Sequence, residues 1–228
     1  MGDPVNRTAR AVILTAIGGV SLRMGATDEY ANFVNAWMRW PLVVSGALLL
    51  GLAIAAAVTT VSDHDHPAGP VAWLLLLPVV IAFVVQPPAL GAYVADRRAN
   101  DADARRYSEP IRVELDETGE NAIPVANFLA RAATDDGATL AGVTVRLTGF
   151  VSTDKDGGWY VTRLAISCCA ADAAAFRVRV QGADAPPVEQ GVDVVGTWVE
   201  GTGTDAGGTP VIAADEVTYV DQPKRPYE

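Results

Sequence analysis

Apolar residues fill two uncharged stretches of the chain, Trp40 to Ser62 and Pro67 to Ala95. An α-helix rises about 1.5 Å per residue, so crossing about 30 Å of hydrocarbon takes roughly 20 apolar residues. Pro41 to Val61 meets this with Leu, Val, Ile and Ala and only small polar residues. Pro70 to Val85 is nearly as strong and extends through Gln86, Pro87 and Pro88 to Ala95. A shorter apolar run, Ala11 to Leu22, follows Arg7 and Arg10 and is closed by Arg23. No clear small-x-small cleavage site follows it, so a retained first helix is expected rather than a cleaved signal peptide. The pattern predicts a membrane module over residues 1–98, with helices at about 10–24, 41–62 and 70–95. Tyr30, Phe33, Trp37 and Trp40 precede the second helix, as aromatic residues do at a water–lipid boundary.

Beyond residue 98 the period changes. Residues 99–108 are polar and charged and repeat Ala-Asp, as a linker does. Ile111 to Leu115 alternates apolar and charged positions, which predicts a half-buried strand. Val125 to Ala132 predicts a short amphipathic helix. Further strands are predicted at Val143 to Val151, Trp159 to Ile166, Phe176 to Val180 and Val192 to Val199, with a last at Pro210 to Val220. Gly and Pro mark the joins, and a long connection, Gln181 to Gly191, separates the third of these from the fourth. The expectation for residues 109–228 is an all-β domain, a small OB-like barrel.

Charge divides at the same place. Residues 1–98 hold six Lys/Arg and six Asp/Glu, and residues 99–228 hold 11 and 21, which supplies the whole net charge of −10. So acidic a domain repels phosphate backbones, and nucleic acid is not an expected partner. Arg23, Arg39, Arg97, Arg98, Arg105 and Arg106 flank the membrane segments, while the loop Asp63 to Gly69 has neither Lys nor Arg. The positive-inside rule then favours that loop outside and the acidic domain on the cytoplasmic side. Arg7, Arg10 and the terminal amine also favour an inside amino end, which agrees with two spans and conflicts with three.

Candidate chemistry is sparse. The two cysteines, Cys168 and Cys169, are adjacent, and Asp172 follows closely. Neighbouring Cα atoms sit about 3.8 Å apart, below the roughly 5.5 Å usual in disulfides, so a structural staple is not expected. Thiolates bind soft ions such as Zn²⁺ or Cu⁺, and Asp172 adds a possible oxygen ligand. Buried packing of small residues is the competing reading. The two histidines, His64 and His66, alternate with Asp63 and Asp65 in the loop between the strong spans, where they make a possible weak metal lure or a solvated turn. The region after residue 98 contains no histidine, G-x-S-x-G, phosphate loop or H-E-x-x-H, so no enzymatic activity is expected. The strong spans contain no ionisable residue to line an ion path.

Several stretches together resemble a family of bacterial permease subunits (YcgQ-like). They are Asp63 to Pro67; Trp73 to Pro78 leading to Pro87 through Gly91; Val145 to Val151; Gly196 to Val199; and Pro223 to Tyr227. The most specific is Arg163 to Asp172 (RLAISCCAAD). The resemblance implies short amino-terminal membrane helices, a His/Asp-rich loop, a β-rich domain and work beside a separate multi-span permease. Its His-rich loop also implies transition-metal handling, with zinc as a candidate, and the resemblance favours three spans and strengthens Cys168, Cys169 and Asp172 as functional residues. The leading expectation is a non-enzymatic membrane subunit with the lipid bilayer and a permease as partners. A membrane-anchored sensing module acting without a permease is the alternative, and a thiol-dependent enzyme ranks last.

Overall fold

The computed structural model describes residues 4–58, 70–84, 90–97, 114–154, 157–204, 208–221 and 227. The chain divides into two compact units, Met1–Pro88 and Ala89–Glu228.

The first unit is helical. Helix α1 spans Pro4–Ala26 and α2 spans Arg39–Val58, joined by 3₁₀ turns at Asp28–Asn32 and Ala36–Met38. Within them, Thr8–Ala26 and Ala36–Val58 are long and apolar enough to cross a membrane. The two helices pack antiparallel through glycines. A Cβ on Gly46 would lie 2.9 Å from Leu22 Cγ and 3.0 Å from the Gly18 carbonyl oxygen, so only hydrogen fits there. Arg39 Nε donates to the Gly25 carbonyl at 2.9 Å, and Arg23 pairs with Glu29 at 2.8 Å. The Arg23 charge also suits the negative end of α1. Large apolar side chains point outward: Trp40 is 69% exposed, Val58 72% and Val84 73%.

The expected helix over residues 70–95 is not continuous. Pro70–Leu75 is a 3₁₀ turn, α3 covers Leu76–Val84, and α4, Ala92–Arg97, belongs to the second unit. Pro78 has no N–H to give Leu74, and that missing bond falls where the 3₁₀ turn becomes α-helix.

The second unit is a mixed six-stranded sheet with helices α4 and α5 (Val125–Ala132). Its strands are β1 (Glu120–Ala122), β2 (Thr144–Thr153), β3 (Trp159–Ala165), β4 (Ala174–Gln181), β5 (Gly191–Trp198) and β6 (Val211–Tyr219). The order is β1-β2-β3-β4-β6-β5, and β5 also pairs with β2, so the ladder from β2 returns to β2. β1–β2 and β4–β6 are parallel; the other pairs are antiparallel. A bulge falls between Val195 and Gly196, where the Gly196 Cα faces the Ala213 carbonyl too closely for a side chain. Inward residues make one core of Val145, Leu147, Val161, Phe176, Val178, Val192, Val194 and Ile212, which α5 joins with Phe128. On another face Phe150, Leu164 and Ala175 are covered by Ala95, Leu90 and Tyr227, whose hydroxyl accepts the Leu90 N–H at 3.2 Å.

The strand expected at Ile111 to Leu115 is not found at its described end, since Glu114 and Leu115 are irregular. Directly after them, Asn121 accepts the Asp116 N–H at 2.8 Å and donates to the carbonyls of Asp116 and Gly119. That side-chain loop occupies the backbone groups a ladder would use, and pairing starts only at Glu120.

Candidate metal centre

Strand β3 ends at Ala165, Ile166 is buried, and the chain then turns through Ser167, Cys168 and Cys169 into a 3₁₀ turn at Ala170–Asp172. β4 begins two residues later. The antiparallel ladder carries Leu164 opposite Ala175 and Ala165 opposite Ala174, which holds both ends of this loop in place.

Small residues let the loop close, and Asp172 fixes its shape. Cys169 is an extended N-cap, and Asp172, three residues on, completes a capping box with it. The carboxylate accepts three backbone N–H groups: Ser167 at 2.7 Å, Cys168 at 2.8 Å and Cys169 at 3.2 Å. Both cysteines are free and half-buried, with their Sγ atoms 3.6 Å apart. Donor atoms of Cys168, Cys169 and Asp172 all lie within 4.8 Å of one another. The structure thus brings together the three residues that the sequence singled out here. His64 and His66 lie outside the described residues.

Electrostatics follow from the hydrogen bonds. The Cys168 thiol is pushed up to about 12, chiefly because it donates to the Asp172 carboxylate and then because of Cys169. Partial burial works against a charged Asp172, yet the bond from Cys168 and the three backbone N–H groups together hold its carboxyl below the ordinary range. Near neutral pH the resting loop is therefore a neutral thiol beside a carboxylate. A soft cation entering it must displace a proton from sulfur, which couples binding to pH.

Asp116, Glu120 and Asp193 instead serve the fold. Asp116 accepts from the N–H and hydroxyl of Thr118, and its carboxyl is held below the ordinary range by those bonds. Glu120, Arg146 and Asp193 form a cross-strand network, joined by Thr148 donating to Asp193 at 2.7 Å. A groove of about 380 Å³ bordered by Asp184, Asp215, Glu216 and Tyr219 contains none of the three loop residues. The capping role of Asp172 was not anticipated; the signal for it is its spacing of three from Cys169. Arg177, stacked 3.9 Å above the Tyr160 ring and 3.7 Å from Asp96, also went unnoticed, because the β3–β4 register and the position of α4 bring these together.

Fold and site describe a chain with two span-length apolar helices and a C-terminal mixed-sheet domain bearing a dithiol loop. Residues 127–228 match a family model described as the DUF1980 C-terminal domain. The match includes β2 to β6 and all three loop residues. No curated protein and no solved structure matches the chain.

Proposed function

We propose that this protein is a non-enzymatic membrane subunit that handles a transition-metal ion, zinc first, beside a multi-span permease. The observation that carries the reading is the convergence of Cys168, Cys169 and Asp172 within 4.8 Å on one strand connection. Thiolate is a strong zinc ligand, and a carboxylate close by favours a cation over an anion. The permease half of the reading rests on the family resemblance and on the outward apolar side chains of α2 and α3, which suit lipid or another helix. In this reading the carboxyl-terminal domain is an OB-like barrel. Its support is the five-strand cycle β2-β3-β4-β6-β5 with β4 and β6 parallel. The basic residues flanking the spans favour a cytoplasmic position for it.

Purification of the full chain from native membranes in a mild detergent tests both halves. The expected eluate contains a multi-span transporter and bound zinc, and the zinc disappears in Cys168→Ser and Cys169→Ser. An eluate with no transporter overturns the subunit reading, and zinc retained by both variants overturns the metal reading.

A further inference from the structure

The three donor groups of the loop do not have equal freedom. A carboxylate offers about four lone-pair positions. At Asp172 three backbone N–H groups occupy three of them, and the Cys168 thiol is a further donor. Moving this carboxylate onto a cation would strip acceptors from three N–H groups and open the turn. The sulfurs carry a lighter duty: the Cys169 side chain accepts from the Asp172 backbone in the capping box, against the three N–H groups that Asp172 holds. Two sulfurs on tetrahedral zinc, at about 2.3 Å each, stand about 3.8 Å apart. The observed 3.6 Å already matches one edge of that tetrahedron.

We propose that Cys168 and Cys169 form an open two-sulfur exchange site for a soft divalent cation such as Zn²⁺, with Asp172 as a positioning residue and not a ligand. This deepens the metal reading above and rests on it. Binding releases the two S–H protons to solvent. Two coordination positions then remain. Ala170, Ala171 and Ala173 supply no donor side chain, and the Ser167 hydroxyl is the only other polar side chain in the turn. Among the described residues no fourth His, Cys, Asp or Glu joins the group. Closed four-ligand zinc sites are structural, whereas sites with open positions exchange ligands. The free positions are filled by a thiolate or imidazole of the molecule that delivers or receives the ion.

The test uses the full chain in mild detergent, loaded with Co²⁺ as an optical stand-in for Zn²⁺. The expected wild-type spectrum has a sulfur-to-cobalt band that Cys168→Ser and Cys169→Ser each diminish. At saturation Asp172→Asn keeps the wild-type spectrum but binds on the order of tenfold more weakly, the usual cost of losing an outer partner. Glutathione added to the wild type strengthens the band as a third sulfur enters, with the ion still bound. A spectrum altered at saturation in Asp172→Asn, or unchanged by glutathione, overturns the proposal. The glutathione arm needs no variant, so a poorly folded Asp172→Asn does not shield it. A wild type with no cysteine-dependent band overturns the metal reading itself.

Discussion

The two units of this chain sort their residues in opposite ways. In the helical unit the buried positions include Gly46 and Ala53, while Leu48, Leu52, Ile54 and Val58 of the same helix face outward. In the sheet unit the fully buried side chains are large, among them Phe128, Phe176, Leu140 and Leu147. Leaving a Leu or Phe in water forgoes about 1.5–3 kcal/mol each. An inverted helical unit is therefore stable only where its surroundings are apolar. Small residues inside permit backbone contact, which dispersion and hydrogen bonds can reward in lipid. The sheet unit instead draws on the hydrophobic effect, and its acidic surface suits water.

Substitutions break this contrast in a defined order. Phe176→Ala empties a fully buried site in the sheet unit and should cost about 3–5 kcal/mol. Limited proteolysis of the full chain should then cleave the sheet unit at sites protected in the wild type. Leu48→Arg should cost about 2.5–3.5 kcal/mol of insertion and shift protein out of the membrane fraction. Leu48→Ala, on the same exposed position, should do neither. If Leu48→Arg partitions like the wild type, the outward face of α2 does not meet lipid. Gly46→Val should cost about 1–3 kcal/mol by forcing α1 and α2 apart, seen as a lower melting temperature in detergent.

The smallest effect concerns a single proton. The Asp172 carboxylate, followed by Cys169, pushes the folded Cys168 thiol up from an ordinary 9.0 to about 12. Because its folded value is the higher, the stabilisation from holding this proton is complete below about pH 9. It is lost as pH rises towards 12. At pH 8, iodoacetamide should label Cys168 more slowly in the native chain than in the denatured one, read by peptide mass spectrometry. Asp172→Asn should narrow that gap. Equal rates in native and denatured chains would contradict the carboxylate's hold on the thiol.

Much of the sheet unit was legible before any coordinates. Strands β2 to β6 and helix α5 fall where periodicity and the Gly and Pro joins place them. β1 was not legible, because three residues, Glu-Asn-Ala, carry no alternation and owe their pairing to β2. The change from 3₁₀ turn to α-helix near Leu76 was half legible, because Pro78 marks it. That α4 packs on the sheet through Ala95 and Tyr227 depends on residues over 130 positions apart, joined as Leu90 is to Tyr227. Cys168, Cys169 and Asp172 could be found because they are close in sequence. Which of them is a strut could not, since that follows from three backbone bonds set by the turn.

Calorimetric titration of Zn²⁺ into the reduced full chain in lipid nanodiscs, beside Cys168→Ser and Cys169→Ser, tests the central claim most directly. The account predicts micromolar or tighter binding that both substitutions abolish. Absence of binding, or binding that survives both substitutions, would contradict it and return the two cysteines to a packing role in the turn.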